Sequence, residues 1–223
     1  AMSPDMLFDL LWKSLLQTLH MVAVSGLVGS LIGLPIGVFL ATSGRNELFP
    51  APALNHAIGL VVNAARSTPF IILVVAIIPF TRLLTGTSIG TTAAIVPLTI
   101  ATVPFFARLV EAAIREIDKG LIEAARAMGA TPMQIVFKVL LAEARPAILL
   151  AFTMTIVSLI GYSAMVGAVG GGGLGDLGIR YGYQRFMPEV MLAVVVVLIV
   201  LVQLVQSAGD ALARRFDKRN RKS

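Results

Sequence analysis

Apolar residues run through this chain in long blocks separated by short polar intervals, and five blocks are long enough to cross a bilayer. They cover about Leu15 to Ala41, Ala57 to Leu84, Ile89 to Ala113, Ala147 to Val169 and Val190 to Ala208. A helix needs about 20 residues to cross roughly 30 Å of hydrocarbon. The ~10-residue alternating segments of a membrane barrel are absent. The pattern predicts an all-α, polytopic membrane helical bundle with five transmembrane helices, forming a single membrane domain over residues 1–223. The first block is too long for a cleavable signal and lacks a small-residue cleavage site. Ala1, ahead of Met2, reads as an appended residue.

Charge orients the layout. Thirteen of the eighteen Lys and Arg fall on one side: Arg45, then Arg108 to Arg145, then the tail from Arg214 to Lys222. Four fall on the other (Lys13, Arg82, Arg180 and Arg185), and Arg66 sits inside or at the edge of the second span. Positive loops stay in the cytoplasm, so the N-terminus is expected outside and the basic C-terminal tail, residues 212–223, inside. An odd number of spans requires the same opposition. The net charge of +6 is thereby explained without nucleic acid.

Candidate chemistry is sparse. With no cysteine there is neither disulfide nor thiolate site. His20 and His56 lack ligand spacing, so no metal is expected. None of the twelve acids lies near the middle of a predicted span. Proton-coupled carriers place ionisable groups inside the membrane, so a secondary carrier and an intramembrane hydrolase are both disfavoured. Gly173 to Gly178 matches GxGxxG by letter, but it follows an apolar span rather than a strand. It belongs to a loop with eight of the twenty glycines between Gly167 and Gly182, expected to be mobile or tightly turned outside the membrane. No Walker-type phosphate loop occurs, so ATP is not bound here in that manner.

Three features leave alternatives open. Gly29, Gly33 and Gly37, with Gly26 a turn earlier, form a small-residue face for close helix packing, within one chain or at a subunit seam. Proline interrupts nearly every span, at Pro35, Pro69, Pro79, Pro97, Pro104 and Pro146, and bends are expected there. Arg66 fits a snorkelling or inter-helix structural role, or a charge at a pathway or seam.

The stretch Leu121 to Ala144, "LIEAARAMGATPMQIVFKVLLAEA", differs from its greasy surroundings. Asp118 is placed to cap a helix start, and Gly129 fits the left-handed position that ends one. Thr131-Pro132-Met133-Gln134 reads as a capping box restarting a second helix. Small alanines leave the first helix accessible and Met128 offers an adaptable apolar knob. By composition this is either an interfacial helix or a docking helix for a soluble partner. In the docking alternative, the alanine face predicts that Ala125→Trp leaves insertion and dimerisation intact but abolishes binding of the soluble partner.

"EAARAMG", Glu123 to Gly129, resembles the EAA motif of bacterial ABC importer membrane subunits. In that family the motif forms the coupling helix, here about 118–129, that fits a groove on the ATPase subunit. The resemblance thus implies coupling roles for Glu123, Ala124, Ala125, Met128 and Gly129. One departure is Ala142, where the family usually has proline after "LL"; Pro146 follows four residues later. "RSTPFIILVVAIIPFTRLLTGTSIG", "AAIVPLTIATVPFFARLVE" and "GYSAMVGAVGGGGLGDLGIRYGY" look like the membrane subunit of methionine-importing ABC transporters, and the likeness covers about Ser25 to Asp210.

That resemblance implies a type I ABC importer-like permease in the bacterial inner membrane. It would pair with a second copy, two cytoplasmic ABC ATPases that bind ATP and Mg, and an extracytoplasmic binding protein delivering D- or L-methionine. The chain itself would hold no cofactor and catalyse nothing. Alternatives are a permease for another amino acid or small polar nutrient, or a stand-alone channel or secondary carrier. Tyr162, Ser163 and Met165 in span four are candidates for the pathway or gate, with Met165 as a hydrophobic constriction; ordinary bundle packing is the alternative. Tyr181, Tyr183 and Phe186 in the external loop suit headgroups or the binding protein.

Overall fold

The structure, a computed structural model, describes residues 4–216, and among them every regular element is helical. The chain reads α1 (Pro4–Thr42), α2 (Pro52–Ser67), α3 (Phe70–Ala76), α4 (Ile78–Thr85) and α5 (Thr91–Arg115). There follow α6 (Lys119–Ala127), α7 (Pro132–Gln134), a π-helical segment Ile135–Leu140, α8 (Leu141–Glu143) and α9 (Arg145–Ala168). Last come α10 (Gly173–Leu177), a second π-helical segment Gly178–Tyr183, and α11 (Pro188–Phe216). The tail beyond Phe216 lies outside the described residues, whereas Arg214 and Arg215 form the last turn of α11.

Four helices, α1, α5, α9 and α11, are long and apolar enough to cross a membrane. The second expected span is not one continuous helix. α2 and α3 meet at 101°, and α4 begins after Ile77. The break falls at Thr68-Pro69, where proline removes a backbone donor and pushes its predecessor out of the helical region. Pro35, Pro97 and Pro104 instead sit inside unbroken helices.

The described residues divide into two compact units interleaved in sequence. The first takes the chain up to Gly29, Thr68–Thr102 and Thr155–Gln206. Its apolar core joins Met21, Phe70, Leu98, Leu159 and Val166, with a smaller cluster of Leu174, Leu177, Val190 and Val194. The glycine-rich loop belongs here and is tightly packed. Gly167 and Gly175 press on backbone atoms of Gly175–Asp176 and Ala164, and the amides of Gly173 and Leu174 donate to Gln17 Oε1 and Thr18 Oγ1, each at 2.9 Å.

The second unit takes Ser30–Ser67, Val103–Met154 and the chain from Ser207 onward. Its core gathers Ala41, Phe106, Val110, Ile114, Ile135 and Leu140.

The spaced glycines of α1 pack within the chain. A Cβ added to Gly29 would stand 2.5 Å from Thr102, and one on Gly33 would stand 2.8 Å from the Val103 carbonyl oxygen. Small residues let α1 and α5 approach backbone to backbone, the arrangement by which helices associate without a hydrophobic driving force in lipid.

Candidate functional site

The stretch after α5 folds as its local signals dictate. Asp118 caps α6, its carboxylate accepting from the Gly120 amide at 2.8 Å. At the other end the Ala130 amide donates to the Ala125 carbonyl and the Gly129 amide to that of Arg126. These are the paired bonds of a Schellman ending, with Gly129 at φ 80° supplying the left-handed residue. Thr131 and Gln134 complete a reciprocal capping box, the Thr131 amide donating to Gln134 Oε1 at 2.9 Å. A nine-residue helix and the start of the next are thus terminated by their own atoms.

α6 has two unlike faces. Glu123, Ala124, Ala127, Met128 and Gly129 face outward, and Met128 is 82% exposed. Ala125 faces inward at 4% exposure, in the cluster with Val110, Ile114, Ile135 and Val136. This corrects one expectation: Ala125 is not on the accessible face, because the helix needs a small residue to settle on its own core. A tryptophan there would disturb the permease before it met any partner.

The chain after α6 bends without the proline the motif usually supplies at position 142. Ala142 lies in the short helix α8, and the helical run breaks at Ala144, one residue before α9. Pro146 occupies the first turn of α9, where its missing amide costs nothing. Beside this break lies a cavity of about 310 Å³ lined by Glu116, Asp118, Glu143, Leu121, Leu150 and Phe216.

Along α9 the expected pathway residues point different ways. Tyr162 is half-buried and stacks on Phe70, with ring centroids 4.4 Å apart. Ser163 is buried and donates to the Ile160 carbonyl of its own helix at 2.7 Å. Met165 is 47% exposed, on the same side as Met154 and Gly161. Gly161 has open space where a Cβ would stand. Arg66 is exposed in the last turn of α2, immediately before the bend, and forms no ion pair among the described residues. In the glycine-rich region Tyr181 lies under the Arg185 guanidinium, 4.4 Å away, while Tyr183 and Phe186 are exposed.

A charged group escaped the sequence reading. Arg108 and Arg115 counted only as positive charges on the cytoplasmic side, yet both are in α5 and both bind Glu111, at 2.5 and 2.8 Å. Glu111 is buried within a helix long and apolar enough to span. Its i−3 and i+4 spacing from the two arginines was the available signal.

Comparison with known proteins agrees with these features. Residues 33–222 match the family described as binding-protein-dependent transport system inner membrane component. The chain is 56% identical over 219 residues to a probable D-methionine transport system permease protein of Vibrio cholerae, covering 98% of this chain and 96% of that one. It is 41% identical over 209 residues to a methionine import system permease protein of Bacillus subtilis, covering 94% of each. Among solved structures it is similar to a chain of the MetNI methionine ABC transporter in an inward facing conformation. There the TM-score is 0.94 at 52% identity, over 97% of this chain and 100% of that chain. With an all-helical type I importer permease fold and a family match over most of its length, the chain belongs to the inner membrane components of binding-protein-dependent transport systems.

Proposed function

We propose that this chain is the permease subunit of an ATP-driven importer that carries methionine, as the D or L isomer, across the inner membrane. The observation that carries the reading is the 56% identity, over nearly the whole chain, to a protein named for D-methionine transport. The capped helix α6 supports the coupling side of it, since it offers Glu123, Ala124 and Met128 outward on a fixed base. In this reading the broken segment α2–α4 supplies the fifth crossing. The N-terminus lies outside and the C-terminus in the cytoplasm, a placement supported by the thirteen positive charges of one side.

Two copies surround the path, because five crossings are few to enclose it. Each docks one cytoplasmic ATPase through α6, and an external binding protein delivers the amino acid. ATP and Mg are bound by the ATPase, so this chain performs no hydrolysis. Closure of the ATPase pair displaces the docked helices, and nucleotide shifts the balance between two packed states by binding one of them better.

Reconstitution tests the whole reading. The permease is co-expressed with its ATPase, placed in liposomes with the binding protein, and supplied with labelled L-methionine, D-methionine and a panel of other amino acids. ATP-dependent uptake confined to methionine is expected. Uptake of a different amino acid would reassign the substrate, and uptake without ATP would return the chain to the carriers.

A further inference from the structure

The charged group at the end of α5 includes none of the outward-facing residues of α6, Glu123, Ala124 and Met128. We propose that Arg108, Glu111 and Arg115 are positioning residues that clasp the ends of α1 and α2 to α5, so that these helices and the coupling helix move as one body. The proposal rests on the importer reading for its role in transport, but the clasp itself is a matter of geometry.

Glu111 is the hub. Its side chain is 8% exposed, and its two oxygens take Arg108 Nη1 at 2.5 Å and Arg115 Nη2 at 2.8 Å. Arg108 reaches across to α2, where Nη2 donates to the Gly59 carbonyl at 3.1 Å and to Asn63 Oδ1 at 2.9 Å. Arg115 reaches the other way, to the Leu40 carbonyl of α1 at 3.4 Å. Leu40 is in the last turn of α1, where carbonyls have no partner within the helix. The same carbonyl also accepts from Asn55 Nδ2 of α2 at 2.8 Å, and that amide donates to Ser43 Oγ at 2.8 Å. Side chains of α2 and α5 therefore meet on one carbonyl of α1.

Stability alone is a weak reason for such a group. A buried carboxylate such as Glu111, even when paired, is often no better than apolar packing of the same volume, and Arg108 Nε is buried with no hydrogen-bond partner among the described residues. What guanidinium–carboxylate pairs supply is direction, through several bonds in a fixed fork. Apolar helix faces slide past one another in shear motions; bonds to Gly59, Asn63 and Leu40 oppose that sliding. The location is apt. Arg115 ends α5, α6 starts at Lys119, and Ala125 of α6 shares an apolar cluster with Val110 and Ile114 of α5. A push on α6 is a push on α5, and the clasp hands it on to α1 and α2.

The test uses the assembled complex in liposomes, with methionine uptake and phosphate release followed together. Glu111→Gln removes the hub, and Asn63→Ala cuts only one arm to α2. Both variants are expected to retain bound ATPase and to hydrolyse ATP. Methionine moved per ATP should fall about fivefold or more in Glu111→Gln, and by less in Asn63→Ala. Asn63→Asp keeps an acceptor for Arg108 and should hold the ratio near wild type. A merely structural loss would lower uptake and hydrolysis together and leave the ratio unchanged.

A second readout is independent of transport. The chain has no cysteine, so spin labels at Ala57→Cys and Ala127→Cys, in labelled chain diluted with excess unlabelled chain so that a dimer carries one labelled copy, report the α2–α6 separation within that copy. A narrow distance distribution is expected with the clasp intact, and a broadened one in Glu111→Gln and Asn63→Ala. Unchanged transport ratios together with unchanged distributions would overturn the clasp. A wild-type complex that moves no methionine would overturn the importer reading, while the label distances would still decide whether the clasp exists.

Discussion

Gly37 lies so close to Ala107 that a Cβ on the glycine would stand 2.5 Å from the alanine carbonyl oxygen. Backbone, unlike a flexible side chain, has little room to retreat. Gly37→Val should therefore push α1 away from α5 and destabilise the purified permease by about 1–3 kcal/mol or more. Gly161→Ala is the matched control, since nothing occupies the space its Cβ would take. Helix propensity favours alanine there by up to about 1 kcal/mol, so its midpoint should hold or rise. Thermal denaturation in detergent reads both, and equal losses in the two variants would contradict the packing described.

In the proposed reading the outer face of α6 serves docking and the inner face serves folding. Met128→Asp alters an exposed knob and should leave the melting point of the isolated permease unchanged while lowering recovery of ATPase with it. Ala125→Trp forces a large ring into the cluster around Ile114 and Ile135, and should lower the melting point of the permease on its own. Co-purification and thermal scans of the same preparations distinguish the two effects. A stable Ala125→Trp permease would mean that the inner face is not packed as seen.

At Gly129 the demand is conformational rather than steric. Its φ of 80° is costly for any residue with a side chain, although open space surrounds it. Gly129→Ala should cost about 1–2 kcal/mol. Thr131→Ala, which removes the cap on the following helix, should cost about 1 kcal/mol. Both losses are expected as earlier proteolytic cleavage between α6 and α7, with the remainder of the permease as protected as wild type.

Tyr162 tests whether its ring or its hydroxyl matters. The ring stacks on Phe70 with an interplanar angle of 16°. Tyr162→Phe keeps that stack and should retain transport. Tyr162→Ala removes a half-buried ring packed against the core and should destabilise by about 2–3 kcal/mol, below the ~3–5 kcal/mol of a fully buried aromatic truncation. If uptake is lost in Tyr162→Phe while stability is kept, the hydroxyl acts on the transported molecule and the packing account fails.

What the sequence made legible was local. Asp118, Gly129 and the Thr131–Gln134 pair each act within a few residues, so their types and spacing were enough to predict the ends of α6 and the start of α7. Apolar length found α1, α5, α9 and α11, because hydropathy and span length are the same quantity read twice. Hydropathy carries no direction, however, and Ala57 to Leu84 was read as a single crossing. Pro69 marked the break, but Pro35, Pro97 and Pro104 give the same signal inside continuous helices. The difference lies in tertiary packing.

Burial at Ala125 was hidden for a related reason. Alanine is equally at home outside and in, and only the partner residues Ile135 and Val136 fix its side. Glu111 was hidden because it falls near the end of a predicted span rather than its middle, and a tally of Lys and Arg by side of the membrane does not show which of them an acid pairs with.

The letters of α6 divide their labour. Those that end the helix or seat it, Asp118, Ala125 and Gly129, are committed to the chain's own architecture, whereas Glu123, Ala124 and Met128 owe it almost nothing. If α6 docks the ATPase as proposed, recognition of the engine is written on a surface that substitution can revise at little structural penalty, and permeases sharing one scaffold are free to diverge in which motor they accept.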